Sequence, residues 1–234
     1  MTRKAAKATK VSKAAKRRAM DNYPTPPQLA RAITFALEGY VLPSSGILRR
    51  DDAALGQWIK LPFLVLEPSA GTGPFVNAVV DYADYIFGEH AERCTRITAI
   101  EPRKQAAAKI GAQADEVCVT TLEQYLKERS VTAPRFDLAI GNPPFSKAQQ
   151  HIELLRPCCK YIALLLRMSF LGSQERARTL WAPPSGLHWV MPLAERPSFT
   201  GGKTDNSEYA VYIWEAGWQG PTMLLPHLFW KKES

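Results

Sequence analysis

The sequence is poor in several residue types and patterns, and each shortage removes a class of function. It has four cysteines, Cys94, Cys118, Cys158 and Cys159, and no pair of them has the two-residue spacing of a zinc or redox motif. Adjacent Cys158 and Cys159 could close only a strained disulfide, so all four read as reduced, small apolar residues. His151 has no metal-ligand or triad partner near it in the sequence and reads as helix surface or a cap. The longest apolar run, Tyr161 to Leu166 with Met168 to Leu171 beyond Arg167, is too short and too interrupted to span a bilayer. The amino terminus is charged and lacks the apolar stretch of a secretory signal. A cytoplasmic protein with no metal and no membrane partner is the expectation.

Acid is missing altogether from the first twenty residues. They hold Arg3, Lys4, Lys7, Lys10, Lys13, Lys16, Arg17 and Arg18, and these eight positive charges equal the net charge of +8 carried by the whole chain. The remainder is therefore neutral overall. Besides Met1, Val11 and Met20 are the only large apolar side chains there, so residues 1–20 are predicted to be a basic, disordered tail. Such a tail neutralises phosphates and releases counterions, which points to nucleic acid as partner; a solvated tail that only aids solubility is the bland alternative. Residues 21–234 read as one domain, large enough to bury a core.

What is present centres on Phe136-Asp137-Leu138-Ala139-Ile140-Gly141-Asn142-Pro143-Pro144-Phe145. A buried strand stops at an amide, two prolines and an aromatic ring, at the carboxyl edge where open α/β sheets hold ligands. The Asn142 oxygen and the Pro143 carbonyl can take both hydrogens of a planar amino group, with Phe145 stacking on the ring that bears it. An adenine or an amide would fit; a plain strand-terminating turn is the alternative.

Upstream, a strand from Leu61 to Leu66 leads into Glu67-Pro68-Ser69-Ala70-Gly71-Thr72-Gly73-Pro74-Phe75 and then a helix. Gly71 and Gly73 allow a sharp turn and the close approach of a ligand. The Gly-Lys-Ser/Thr ending of a phosphate loop is lacking, as is the third glycine of the dinucleotide fingerprint. The next strand, Arg96 to Ile100, ends at Glu101-Pro102, where an acid can accept both hydroxyl protons of a ribose. Near the start, Thr25 is expected to cap a helix whose first position is Pro26 and whose inner face is Leu29, Ile33, Ala36, Leu37 and Tyr40.

These motifs together resemble a family. Asn142-Pro143-Pro144-Phe145 is similar to the catalytic tetrapeptide of amino-methyltransferases that use S-adenosyl-L-methionine, and the block from Leu66 to Phe75 resembles their cofactor motif. Within that family the chain looks like the DNA adenine-N6 methyltransferases of phage or restriction-modification type. The resemblance implies an α/β, Rossmann-like class I methyltransferase fold, with a seven-stranded mixed sheet and helices on both faces.

It also implies roles. Tyr23 and Thr25, in a Tyr-x-Thr-Pro motif, would contact the methionine end of the cofactor. Glu67, Pro68, Ser69, Ala70, Gly71, Gly73 and Phe75 would form its loop, and Glu101 with Pro102 would hold its ribose. Thr121, standing where the family has Asp, would meet the adenine beside Leu122. Asn142, Pro143, Pro144 and Phe145 would be catalytic, with Asn142 also touching the cofactor. Phe199, between the last two strands, would close on a flipped base, with Arg196 and Lys203 near phosphates. The expected substrate is adenine in DNA. RNA adenine methylation, protein glutamine methylation and a binding protein without turnover remain as alternatives; phenylalanine at the fourth motif position and the basic tail weigh against a glutamine substrate. No long insert is present to read a recognition sequence, so a short or relaxed site is expected.

Overall fold

The computed structural model describes residues 23–43, 62–129, 135–181, 185–199 and 204–231, so the basic tail lies outside the described residues. The apolar runs form the strands β1 (Phe63–Glu67), β2 (Thr95–Ile100), β3 (Glu116–Cys118), β4 (Phe136–Gly141), β5 (Cys159–Arg167), β6 (Leu187–Pro192), β7 (Tyr209–Glu215) and β8 (Met223–Leu224). They make one sheet in the order β3-β2-β1-β4-β5-β7-β6-β8. Strands β1 to β5 pair in parallel, and β7 runs antiparallel to both β5 and β6.

Strict alternation along the central strands sends side chains to two cores. On β5, Ala163 and Leu165 face one way and Ile162, Leu164 and Leu166 the other; on β7, Val211 and Ile213 oppose Ala210, Tyr212 and Trp214. The first core is closed by α1 (Pro27–Ala36) through Leu29 and Ile33 and by α2 (Pro74–Phe87) through Phe75, Val76 and Val79. The second is closed by α3 (Leu122–Glu128) through Leu122 and Tyr125 and by α4 (Ala148–Leu155) through Ile152 and Leu155. Each fully buried Leu, Ile or Phe contributes about 1.5–3 kcal/mol, and the two faces together hold the sheet as a middle layer.

The fold class agrees with the sequence reading, but the strand count needs correcting. The terminal segment adds β8 beside β6, in register Trp189↔Met223 and Val190↔Leu224. Leu225 and Leu228 then donate to the Val190 and Pro192 carbonyls at 2.8 Å, continuing the edge. A seventh strand was legible from its apolar run; this eighth follows Gly217, Gly220 and Pro221 and carries only two residues, too few for a periodic pattern.

The order places β1 and β4 side by side at the point where the chain switches direction along the sheet, with Val65↔Leu138 and Leu66↔Ala139 in register. The glycine turn leaves the end of β1 and the Asn142 segment leaves the end of β4. Ligands in open α/β sheets bind at such a switch point.

Candidate active site at the switch between the first and fourth strands

Asn142 is held by contacts distant in sequence. Its Nδ2 donates to the Tyr23 carbonyl at 3.1 Å and to Thr25 Oγ1 at 3.0 Å. A carbonyl only accepts, so the amide must turn its nitrogen to Tyr23, which leaves Oδ1 as the free acceptor. That oxygen is buried and has no hydrogen-bond partner. An unmet buried acceptor costs about 1–3 kcal/mol, and here it stands at the carboxyl end of β4, beside the buried Pro143.

Thr25 corrects the sequence reading. It is not the cap: Pro26 occupies that position, α1 starts at Pro27, and no side chain caps the helix. The Thr25 hydroxyl is spent on Asn142 instead. On the predicted helical face, Leu29, Ile33 and Leu37 are buried, but the helix ends at Ala36, and Tyr40 beyond it is exposed and meets Trp189 edge-on.

Phe145 belongs to an aromatic cluster. Its ring lies 5.2 Å from Tyr23, 5.8 Å from Tyr209 and 6.4 Å from Phe199, the last nearly edge-on at 69°. Phe199 is 5% exposed and also packs edge-on against Tyr23 and Tyr209. The Arg167 guanidinium sits over the Phe145 ring at 4.7 Å and donates through Nε to the Tyr209 hydroxyl. Tyr209 in turn donates to Asp205 at 3.1 Å, and burial, the largest influence on its phenol, pushes the pKa up, so it keeps its proton. Sequence reasoning missed Arg167 because nothing in a strand-end arginine signals its neighbour across the sheet. Arg196 approaches Glu208 at 3.7 Å on the surface. Lys203 lies outside the described residues.

The glycine turn is pinned to the neighbouring strands. Ala70 N–H donates to the Ile100 carbonyl, and Gly71 N–H to Glu101 Oε2, both at 2.8 Å. Gly73, at φ +88°, starts α2 with Pro74 as its first residue, and a side chain there would press on Ile110. Phe75 is buried in the first core. Glu101 is 2% exposed and accepts from Arg103 as well, from its N–H at 2.9 Å, Nε at 2.7 Å and Nη2 at 3.0 Å. Pro102 beside it is exposed.

Thr121 caps α3, accepting from Gln124 N–H at 3.3 Å, and Leu122 is buried in the second core.

Glu67 is 2% exposed, and burial raises its carboxyl well above the ordinary range; the Ser69 N–H opposes the shift, and the nearby Glu101 adds to it. Its side chain lies against Gly141. An alanine Cβ at Gly141 would overlap the carboxyl and come within 2.9 Å of Glu67 Cδ, so the buried Glu67 side chain would have to shift from its place beside the Ser69 N–H. Gly141→Ala is expected to destabilise the fold by about 1–3 kcal/mol, read as a drop in Tm, whereas Gly71→Ala, with no atom within 4 Å of its Cβ, would cost only backbone strain at φ +59°.

His151 also departs from expectation. It is not on the surface but 8% exposed, with Nδ1 3.0 Å from the Lys147 carbonyl and Nε2 3.0 Å from Ser69 Oγ. Burial lowers its pKa below the usual imidazole value, so the ring is neutral at pH 7. Among the described residues there is no group of three His, Cys, Asp or Glu side chains placed to hold a metal ion, and no helix long and apolar enough to cross a membrane. The Cys158 and Cys159 sulfurs are 3.8 Å apart as free thiols.

No protein-family model matches the chain. No curated protein matches it either. Solved structures do. A Listeria monocytogenes protein described as a class I S-adenosylmethionine-dependent methyltransferase superposes with a TM-score of 0.60 at 12% identity, over 92% of this chain and 70% of that one. A Vibrio vulnificus protein described as a modification subunit of a type I restriction enzyme gives 0.57 at 14% identity, over 91% of this chain and 49% of that one. A Pyrococcus horikoshii protein described as an RNA methyltransferase gives 0.51 at 14%, over 83% and 87%. The chain thus spans about half the length of the restriction-enzyme subunit. At these identities the likeness establishes the fold: this is a class I methyltransferase fold, with the glycine turn and the Asn142 segment meeting at its switch point.

Proposed function

We propose that the chain is an S-adenosyl-L-methionine-dependent methyltransferase that modifies the exocyclic amino group of adenine in DNA, acting on a base turned out of the duplex. The observation that carries this reading is the Asn142 amide, fixed through its nitrogen and left with a buried, unpartnered oxygen at the end of β4.

The residues present fit the cofactor. The glycine turn brings main-chain N–H groups to the end of β1, and Glu101 stands at the end of β2, where ribose hydroxyls would donate to its carboxylate once the Arg103 guanidinium yields. Tyr23 and Thr25 hold the Asn142 nitrogen, and the Tyr-x-Thr-Pro resemblance gives them the methionine end of the cofactor. When bound, the cofactor supplies a methyl group activated by a sulfonium.

An adenine amine is a poor nucleophile because its lone pair is delocalised into the ring. Asn142 Oδ1 and the Pro143 carbonyl would accept its two hydrogens, drawing the nitrogen toward tetrahedral geometry and stabilising the positive charge that develops there. The methylated nitrogen, cationic at first, is acidic enough to release its surplus proton to water beside these acceptors, so no strong base is needed. Phe145 would stack on the base, offsetting part of the few kcal/mol that unstacking costs. For that, the Phe145 and Phe199 rings must part, since they now meet edge to face. The basic residues 1–20 support a nucleic-acid partner, with binding that weakens steeply as salt rises.

The deciding experiment is nucleoside analysis of DNA and RNA after incubation with the protein and labelled S-adenosyl-L-methionine. Label in N6-methyladenine of DNA is the expected result. Label confined to RNA would move the substrate and keep the chemistry, and label in neither would overturn the reading.

A further inference from the structure

The Ser69 hydroxyl and the His151 ring come from opposite halves of the site. Ser69 lies in the turn that leads to Gly71 and Gly73, and His151 lies on α4, which follows the Asn142–Phe145 segment. The carbonyl of Lys147 can only accept, so Nδ1 carries the imidazole hydrogen, Nε2 is an acceptor, and the Ser69 hydroxyl donates to it. The Ser69 N–H donates in turn to Glu67 Oε1 at 3.2 Å, and the Glu67 carboxyl rests on Gly141. The glycine turn is therefore fastened to the acceptor segment on both flanks, at Gly141 before Asn142 and at α4 after Phe145.

A serine bonded to a histidine also suggests a nucleophile and its base. That role does not fit here. The third member of such a set must orient the ring and stabilise its charge, and Nδ1 is held by a main-chain carbonyl.

We propose that His151 is a positioning residue for methyl transfer: through Ser69 it fixes the glycine turn, and so the methyl donor held there, against Asn142. The inference rests on the methyltransferase reading. Transfer depends on holding donor and acceptor in line, and a misplacement of about 1 Å can cost on the order of a hundredfold in rate. The pair suits such a role because the His151 ring is buried and neutral. Burial and the nearby Lys147 ammonium both disfavour the imidazolium, and across the turn burial keeps Glu67 protonated to well above the usual carboxylate range.

The test is a double-mutant cycle on the full chain, reading kcat for methyl transfer and the Kd of S-adenosyl-L-methionine. Ser69→Ala and His151→Phe are each expected to lower kcat about ten- to a hundredfold, and the double variant to be no slower than the slower single, because both remove one interaction. Cofactor Kd should move less than about threefold in His151→Phe, and His151→Gln, which restores an acceptor toward Ser69, should recover most of kcat. A merely structural histidine would give a lower Tm with wild-type kcat below the transition, and that result overturns the inference, as do independent, multiplying effects. Should His151→Phe fail to fold, Ser69→Ala and His151→Gln decide: a wild-type kcat in Ser69→Ala refutes the role, and a slow Ser69→Ala beside a near-normal His151→Gln sustains it. If the wild type transfers methyl to neither DNA nor RNA, the methyltransferase reading falls and this inference falls with it; an active wild type with unaffected variants removes the inference alone.

Discussion

Asn142→Ala is expected to lower the rate of methyl transfer about a thousandfold, the scale seen when one preorganised polar group is taken from a developing charge. The substitution deletes the acceptor oxygen and leaves the Tyr23 carbonyl and the Thr25 hydroxyl without the donor they now share. Two effects therefore coincide, and a second variant separates them. Asn142→Asp keeps an oxygen in place of Oδ1 but turns the other toward the Tyr23 carbonyl, acceptor against acceptor. Its loss should be smaller, about ten- to a hundredfold, because the amine still finds its partner. Single-turnover transfer with labelled S-adenosyl-L-methionine at saturation reads the chemical step alone. Wild-type rates in Asn142→Ala would remove the mechanism while leaving the fold untouched.

The sequence made the central sheet legible because the strands that carry it are buried on both faces, and continuous apolar runs such as Tyr161 to Leu166 have few other homes. It made the Asn142 segment legible because two prolines and an amide after a strand constrain the chain locally. It failed where a side chain is claimed by something far along the chain. Thr25 before two prolines has every local mark of a helix cap, yet Asn142, 117 residues away, takes its hydroxyl. His151 read as a surface residue for the same reason, since its partner Ser69 is 82 residues distant. Thr121 shows the converse: beside the ligand role that family resemblance gives it, it carries a local cap that the sequence reading did not assign. Arg103 was passed over entirely, although two residues after an acid at a strand end it is well placed to fold back.

Glu101→Ala is expected to weaken S-adenosyl-L-methionine binding about a hundredfold, measured by calorimetric titration. Hydrogen bonds to a charged group are each worth about 1.5–3 kcal/mol, and two ribose hydroxyls would be left without their acceptor. The sign for Arg103 is opposite. A carboxylate has about four acceptor positions, and four N–H groups now take them: Gly71 N, and Arg103 N, Nε and Nη2. Ribose hydroxyls can reach Glu101 only where the guanidinium yields. The Arg103 side chain is 38% exposed, so it can withdraw into water, whereas Glu101, at 3%, cannot move out to meet a ligand. Arg103→Ala should accordingly tighten cofactor binding, by about tenfold, the low end of one such contact, while lowering the Tm of the free protein because a buried carboxylate loses its partner. An arginine that instead contributes to the cofactor contact would give weaker binding in Arg103→Ala. Unchanged affinity in Glu101→Ala would take the acid of the second strand out of the site and leave the Asn142 chemistry to stand on the glycine turn alone.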